Sequence, residues 1–106
     1  MIGVKLNPKV VEKLFKYYVD QIYKLLNLFE EKDIHGYKYA IRIRSELEYL
    51  PLQIPKLNND IRFNVVLLKL DSIIEELIFL EADQGQFVKN QSFESMNLLK
   101  DIGRDM

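Results

Sequence analysis

Between Asn59 and Ala82 (NDIRFNVVLLKLDSIIEELIFLEA) the apolar residues repeat at helical spacing along two faces instead of one. Phe63, Val66, Leu70, Ile73, Leu77 and Leu80 step by three and four, which is the seam of a packed helix. A second line, Ile61, Val65, Leu68 and Phe79, runs nearly opposite and is interrupted by Ser72, Glu75 and Glu76. A helix that is apolar on both sides has to be covered on both sides, so this segment is predicted to sit in the middle of the fold.

The flanking segments supply its neighbours. Asn7-Pro8 is a helix start: a side-chain acceptor at the cap is followed by the residue whose missing N–H costs least in a first turn. From there Val11, Phe15, Tyr18, Ile22, Leu25 and Phe29 form an apolar arc, opposed by a polar stripe of Lys9, Lys13, Lys16, Asp20, Lys24, Asn27 and Glu31. Lys32 to Gly36 is a tight connection, and a second helix is predicted from Tyr37 to Leu50 with Ala40, Ile43, Leu47 and Leu50 as its buried line. Pro51 stops it, and Pro51 with Pro55 predicts an extended connector that tucks Leu52 and Ile54 inward. Asn58, Asn59 and Asp60 offer a cap to the long third helix. Beyond Asp83 the pattern decays. Gly85 reads as a break, and Ser92 as the start of a short last helix carrying Met96, Leu99 and Ile102 and ended by Gly103. The predicted fold is all-α: an antiparallel up-down-up helical bundle of three main helices plus a short C-terminal fourth helix. It forms a single domain over 1–106, with 1–6 an N-terminal extension and 84–106 a weakly patterned C-terminal segment.

Charges favour that order of helices. Acids close the first helix (Glu30, Glu31, Asp33) and the third (Glu75, Glu76, Glu81, Asp83), and the basic start of the second (Lys38, Arg42, Arg44) falls at the same end. At the other end Lys5, Lys9, Lys13 and Lys16 are predicted to meet Glu46, Glu48 and Asp60. Such exposed pairs are worth about 0.2–1 kcal/mol each, enough to select an arrangement and too little to hold one together.

Composition removes whole classes of function. A chain of 106 residues can bury about two-thirds of the surface it exposes when unfolded, and with 48% hydrophobic and 29% charged residues it has the makings of a folded domain. Fifteen Lys and Arg against sixteen Asp and Glu leave a net charge of -1, so no overall field draws the chain to nucleic acid or to an anionic membrane. There is no cysteine, hence no disulfide, thiolate nucleophile or cysteine-bound metal. No apolar run exceeds four residues and MIGVKLNPK lacks the core of a signal peptide, so a soluble cytoplasmic protein is expected, with no membrane partner.

Candidate chemistry is sparse. His35, the one histidine, falls in a predicted loop beside Asp33, with no Ser-His-Asp or Cys-His arrangement to use it. In the helical RNases of the HEPN type an arginine precedes the histidine by a few residues on one helix, whereas here Arg42 follows His35. Glu30-Glu31 and Glu75-Glu76 lack the Glu-x-x-His partners of a bundle metal site, and Gly3, Gly36, Gly85 and Gly103 are isolated, so no phosphate-binding loop is present. The expectation is a non-enzyme with no catalytic, cofactor or metal residues. Lys38, Arg42 and Arg44, interleaved with Tyr37 and Tyr39, are the candidate nucleic-acid contacts, a secondary reading because they are few and have acids to pair with.

The second face of the third helix is the most informative feature. Either the C-terminal segment (Phe87, Phe93, Met96, Leu99, Ile102) folds back over Ile61, Val65, Leu68 and Phe79, or those residues form an apolar strip for a partner helix or a second copy of the chain. In gross plan the chain is similar to the small antiparallel helical immunity and accessory proteins of bacteria and their mobile elements, a likeness of architecture alone. The expected function is that of a protein-interaction module, an adaptor or inhibitor, that self-associates. The alternative is a small nucleic-acid-binding regulator.

Overall fold

Four helices account for nearly all of the backbone: α1 (Pro8–Glu30), α2 (Gly36–Tyr49), α3 (Ile61–Phe79) and α4 (Gly85–Asp105). The computed structural model describes residues 7–31, 35–79 and 85–105, except for the side chain of Phe79. The N-terminal extension 1–6, Asp33, the end of the α3 seam at Leu80, and Glu81 and Asp83 lie outside the described residues. No strand occurs among the described residues, and the helices pack into a body of 45 × 25 × 21 Å.

Each helix starts or ends for a local reason. Asn7 caps α1, its Oδ1 accepting the Lys9 N–H at 2.8 Å, and Pro8 fills the first turn. Asp60 caps α3 in the same way through the Arg62 N–H at 2.9 Å. The connector between α2 and α3 is not extended as predicted. It forms two 3₁₀ turns, Leu50–Leu52 and Pro55–Asn59, because proline fixes φ at a value that a 3₁₀ turn accepts in its first positions. Of the two residues expected to turn inward, Ile54 is buried and Leu52 is 81% exposed.

One core runs between all four helices. It takes Val11, Phe15, Tyr18, Ile22 and Leu25 from α1 and Ala40, Ile43 and Leu47 from α2. The connector adds Leu50, Ile54 and Leu57, and α3 adds Phe63, Val66, Leu70, Ile73 and Leu77. Leu57 apart, these are residues that the sequence marked as inward-facing, and of the lines predicted for α1, α2 and α3 Phe29 alone among the described members is only half-buried.

The C-terminal helix departs most from the sequence reading. It begins at Gly85 instead of Ser92, passes through Gly103 to Asp105, and buries Val88, Ser92, Ser95, Met96, Leu99, Ile102 and Gly103. It is a full member of the bundle, packed chiefly on α1 and α3. A Cβ placed on Gly103 would stand 3.0 Å from Cβ of Phe15, so at this position α4 lies too close to α1 for an added side chain to fit without a shift. Lys89, near the start of α4, pairs with Glu30 at the end of α1, while Asp105 at the close of α4 meets Arg62 at the start of α3.

Candidate interaction surface

α4 covers the inner seam of α3 and leaves its outer face bare. Ile61 is 78% exposed and Leu68 65%, with Val65 half-buried between them. Phe79 ends the helix, its side chain outside the described residues. The expectation that the C-terminal segment folds over this strip is corrected: Ile61 and Leu68 stay exposed, Phe87 and Phe93 are themselves partly exposed, and Met96, Leu99 and Ile102 are buried in the core. The reason is geometric. The α3 seam of Phe63, Val66, Leu70, Ile73 and Leu77 is continuous and fully apolar, whereas the outer line is broken by Ser72 and Glu75, so the seam offers more area to a docking helix.

Both edges of the strip are lined by ion pairs. Toward α2, the Arg44 guanidinium reaches Asp71 at 2.8 Å and Glu48 at 3.1 Å, and the hydrogen bond to Asp71 holds Arg44 more firmly charged. Toward α4, Lys69 meets Glu94 at 2.7 Å, and Arg62 joins Asp60 (2.9 Å) to Asp105. Hydrogen bonding from Arg62 holds the Asp60 carboxyl below the usual carboxylate range. An apolar centre with a satisfied polar rim is the anatomy of a protein interface.

The residues of the nucleic-acid alternative do not form one patch. Arg44 turns to α3. Arg42 turns to α1, where it donates to Gln21 Oε1 at 2.9 Å and lies 4.7 Å over the Tyr39 ring. Tyr39 donates to the same oxygen, and Tyr18 donates to Glu46. Burial and the Glu46 charge push the Tyr18 phenol up to about 12. Lys38 is exposed beside Tyr37. The lysine pairs predicted at the far end are absent among the described residues, because Glu46, Glu48 and Asp60 are engaged by Arg42, Arg44 and Arg62, which are nearer in sequence.

A separate feature escaped the sequence reading, a 590 Å³ trough between α1 and α4. Phe15, Val19, Met96 and Leu99 floor it, and the exposed rings of Tyr23 and Phe93 stand at one end. Phe93, which borders it, was expected instead over the outer strip of α3. His35 lies at the start of α2, its carbonyl accepting the Tyr39 N–H. Among the described residues no three or more His, Asp or Glu side chains gather as for a metal ion, and no helix is long and apolar enough to cross a membrane. No family model, curated protein or solved structure matches the chain.

Proposed function

We propose that this chain is a non-enzymatic protein-interaction module whose binding face is the outer strip of α3, built on Ile61, Val65 and Leu68 and extended by Phe79. One observation carries the reading: the strip lies directly opposite a complete core seam, so its exposed leucine and isoleucine do nothing for the fold of the single chain. Apolar side chains lined up on one face and rimmed by polar groups mark a place where another protein docks. The occupant is a helix, because the strip is one helix wide and its charged edges would clash with a broad flat partner.

The scaffold in this reading is an antiparallel up-down-up-down bundle. Four contacts support that order: Gln21 with Arg42, Lys69 with Glu94, Arg62 with Asp105, and Glu30 with Lys89 each join positions that approach as their helices run in opposite directions. A rigid bundle presents the strip pre-formed, which reduces the ordering cost of binding. A cysteine-free chain also suits a reducing compartment such as the cytoplasm.

The test uses the immobilised full chain to capture partners from an extract of its source cell, beside a Leu68→Glu variant whose circular dichroism matches the wild type. The proposal expects a partner retained by the wild type and lost by the variant. Identical capture by the two proteins would remove the outer face of α3 from consideration.

A further inference from the structure

We infer that the outer strip of α3 docks on the same strip of a second copy of this chain, with the two helices running in opposite directions about a two-fold axis beside Val65. The inference rests on the interaction reading above and names its partner. The rim charges are already matched within the chain, Arg44 with Asp71 and Glu48, Lys69 with Glu94, and Arg62 with Asp60 and Asp105. A partner therefore has to bring an apolar ridge and no compensating charge at the rim beside Ile61 to Leu68, and the strip itself is such a ridge.

Unmatched charge sets the direction. Glu75 and Glu76, toward the end of α3, and Lys56, just before its start, form no ion pair among the described residues. Helices running in opposite directions carry the two acids of each copy toward the Lys56 end of the other. Helices running in parallel would set the acids of both copies side by side, and like charges across an interface repel.

Pairing about Val65 places Ile61 against the partner's Leu68. The two-fold repeats the contact with the roles exchanged, so the most exposed apolar residues of the described part of α3 are covered in both copies. At 1.5 Å per residue Glu75 reaches about 15 Å from the axis, past the first turn of the opposing helix and over the connector that carries Lys56. A single helix-on-helix contact lies at the small end of specific interfaces, so the dimer is weak and its population depends on concentration.

Sedimentation of the full chain over a wide concentration range should show the mass rising from 12.6 kDa toward twice that value. Leu68→Glu and Ile61→Glu, each with unchanged circular dichroism, should stay at the lower mass. Because the chain has no cysteine, oxidation of single-cysteine variants reports the direction. Ile61→Cys mixed with Leu68→Cys should link into a dimer. Ile61→Cys alone should not, since the two copies of that position lie about 10 Å apart along the helix direction, beyond the roughly 7 Å between Cα atoms that a disulfide spans. A chain that stays monomeric throughout, a Leu68→Glu variant that still dimerises, or self-linking by Ile61→Cys would each overturn the inference. If the wild type is monomeric and Leu68→Glu still loses a captured partner, the second copy is excluded and the interaction reading stands.

Discussion

Gly103 is the sharpest handle on how α4 lies against α1. A methyl group on its Cα would stand 3.0 Å from Cβ of Phe15 and 3.6 Å from Cγ. The nearer atom is one bond from the α1 backbone and cannot swing aside, and Phe15 is among the largest fully buried side chains. Two effects compete in Gly103→Ala. Alanine is favoured over glycine by up to about 1 kcal/mol inside a helix, and by about half of that so near the end of α4. Forcing a methyl group into a filled core costs about 1–3 kcal/mol. The clash wins, and the expected result is a net loss of about 0.5–2.5 kcal/mol. Gly36→Ala is the matched control. Among the described residues nothing lies within 4 Å of a Cβ at Gly36, so the same change there should stabilise the fold by about 0.5 kcal/mol through the unfolded chain. Urea unfolding followed by circular dichroism reads both as midpoint shifts at constant m value. Opposite shifts are expected. If Gly103→Ala raises the midpoint as Gly36→Ala does, α4 does not approach α1 at that point and the packing described above is wrong.

Two further outcomes follow from buried polar groups. The hydroxyls of Ser92 and Ser95 are fully buried with no hydrogen-bond partner, so Ser92→Ala and Ser95→Ala should be neutral or stabilise by up to about 1 kcal/mol in the same assay, and a clear loss would show that the hydroxyls are satisfied. Asp60, held below the ordinary carboxylate range by the Arg62 hydrogen bond, binds fewer protons folded than unfolded. Its contribution is therefore complete above the usual Asp value of about 3.9 and drains as pH falls through the lower folded value. Asp60→Asn should flatten that part of the acid limb when the urea midpoint is followed from about pH 5 to about pH 2, and superimposable curves would refute the Arg62–Asp60 linkage.

Much of α1, α2 and α3 was legible because their signals are local. Asn7-Pro8 starts a helix by supplying an acceptor and giving up a donor, whatever packs on it later. The lines Val11 to Leu25, Ala40 to Leu50 and Phe63 to Leu77 follow from period alone. The start of α4 was not legible for an equally physical reason. Ser92 read as the start of the helix and Gly103 as its end, yet both, together with Ser95, are its buried contacts, because two helices that approach closely need small side chains between them. Phe93 misled in the opposite sense: a large aromatic was expected to cover the outer face of α3, and here it borders a trough between α1 and α4. The candidate strip was legible as a line of residues, and its exposure was not.

Period and capping chemistry, both carried within a turn or two of chain, thus determined where the helices form and that α3 has two apolar faces. Which of those faces entered the core was decided by tertiary packing. α4 could dock on only one of them and took the unbroken seam of Phe63, Val66, Leu70, Ile73 and Leu77, since the energy of covering a face grows with the apolar area covered. That choice depends on residues far apart in the chain, and it left Ile61 and Leu68 facing outward.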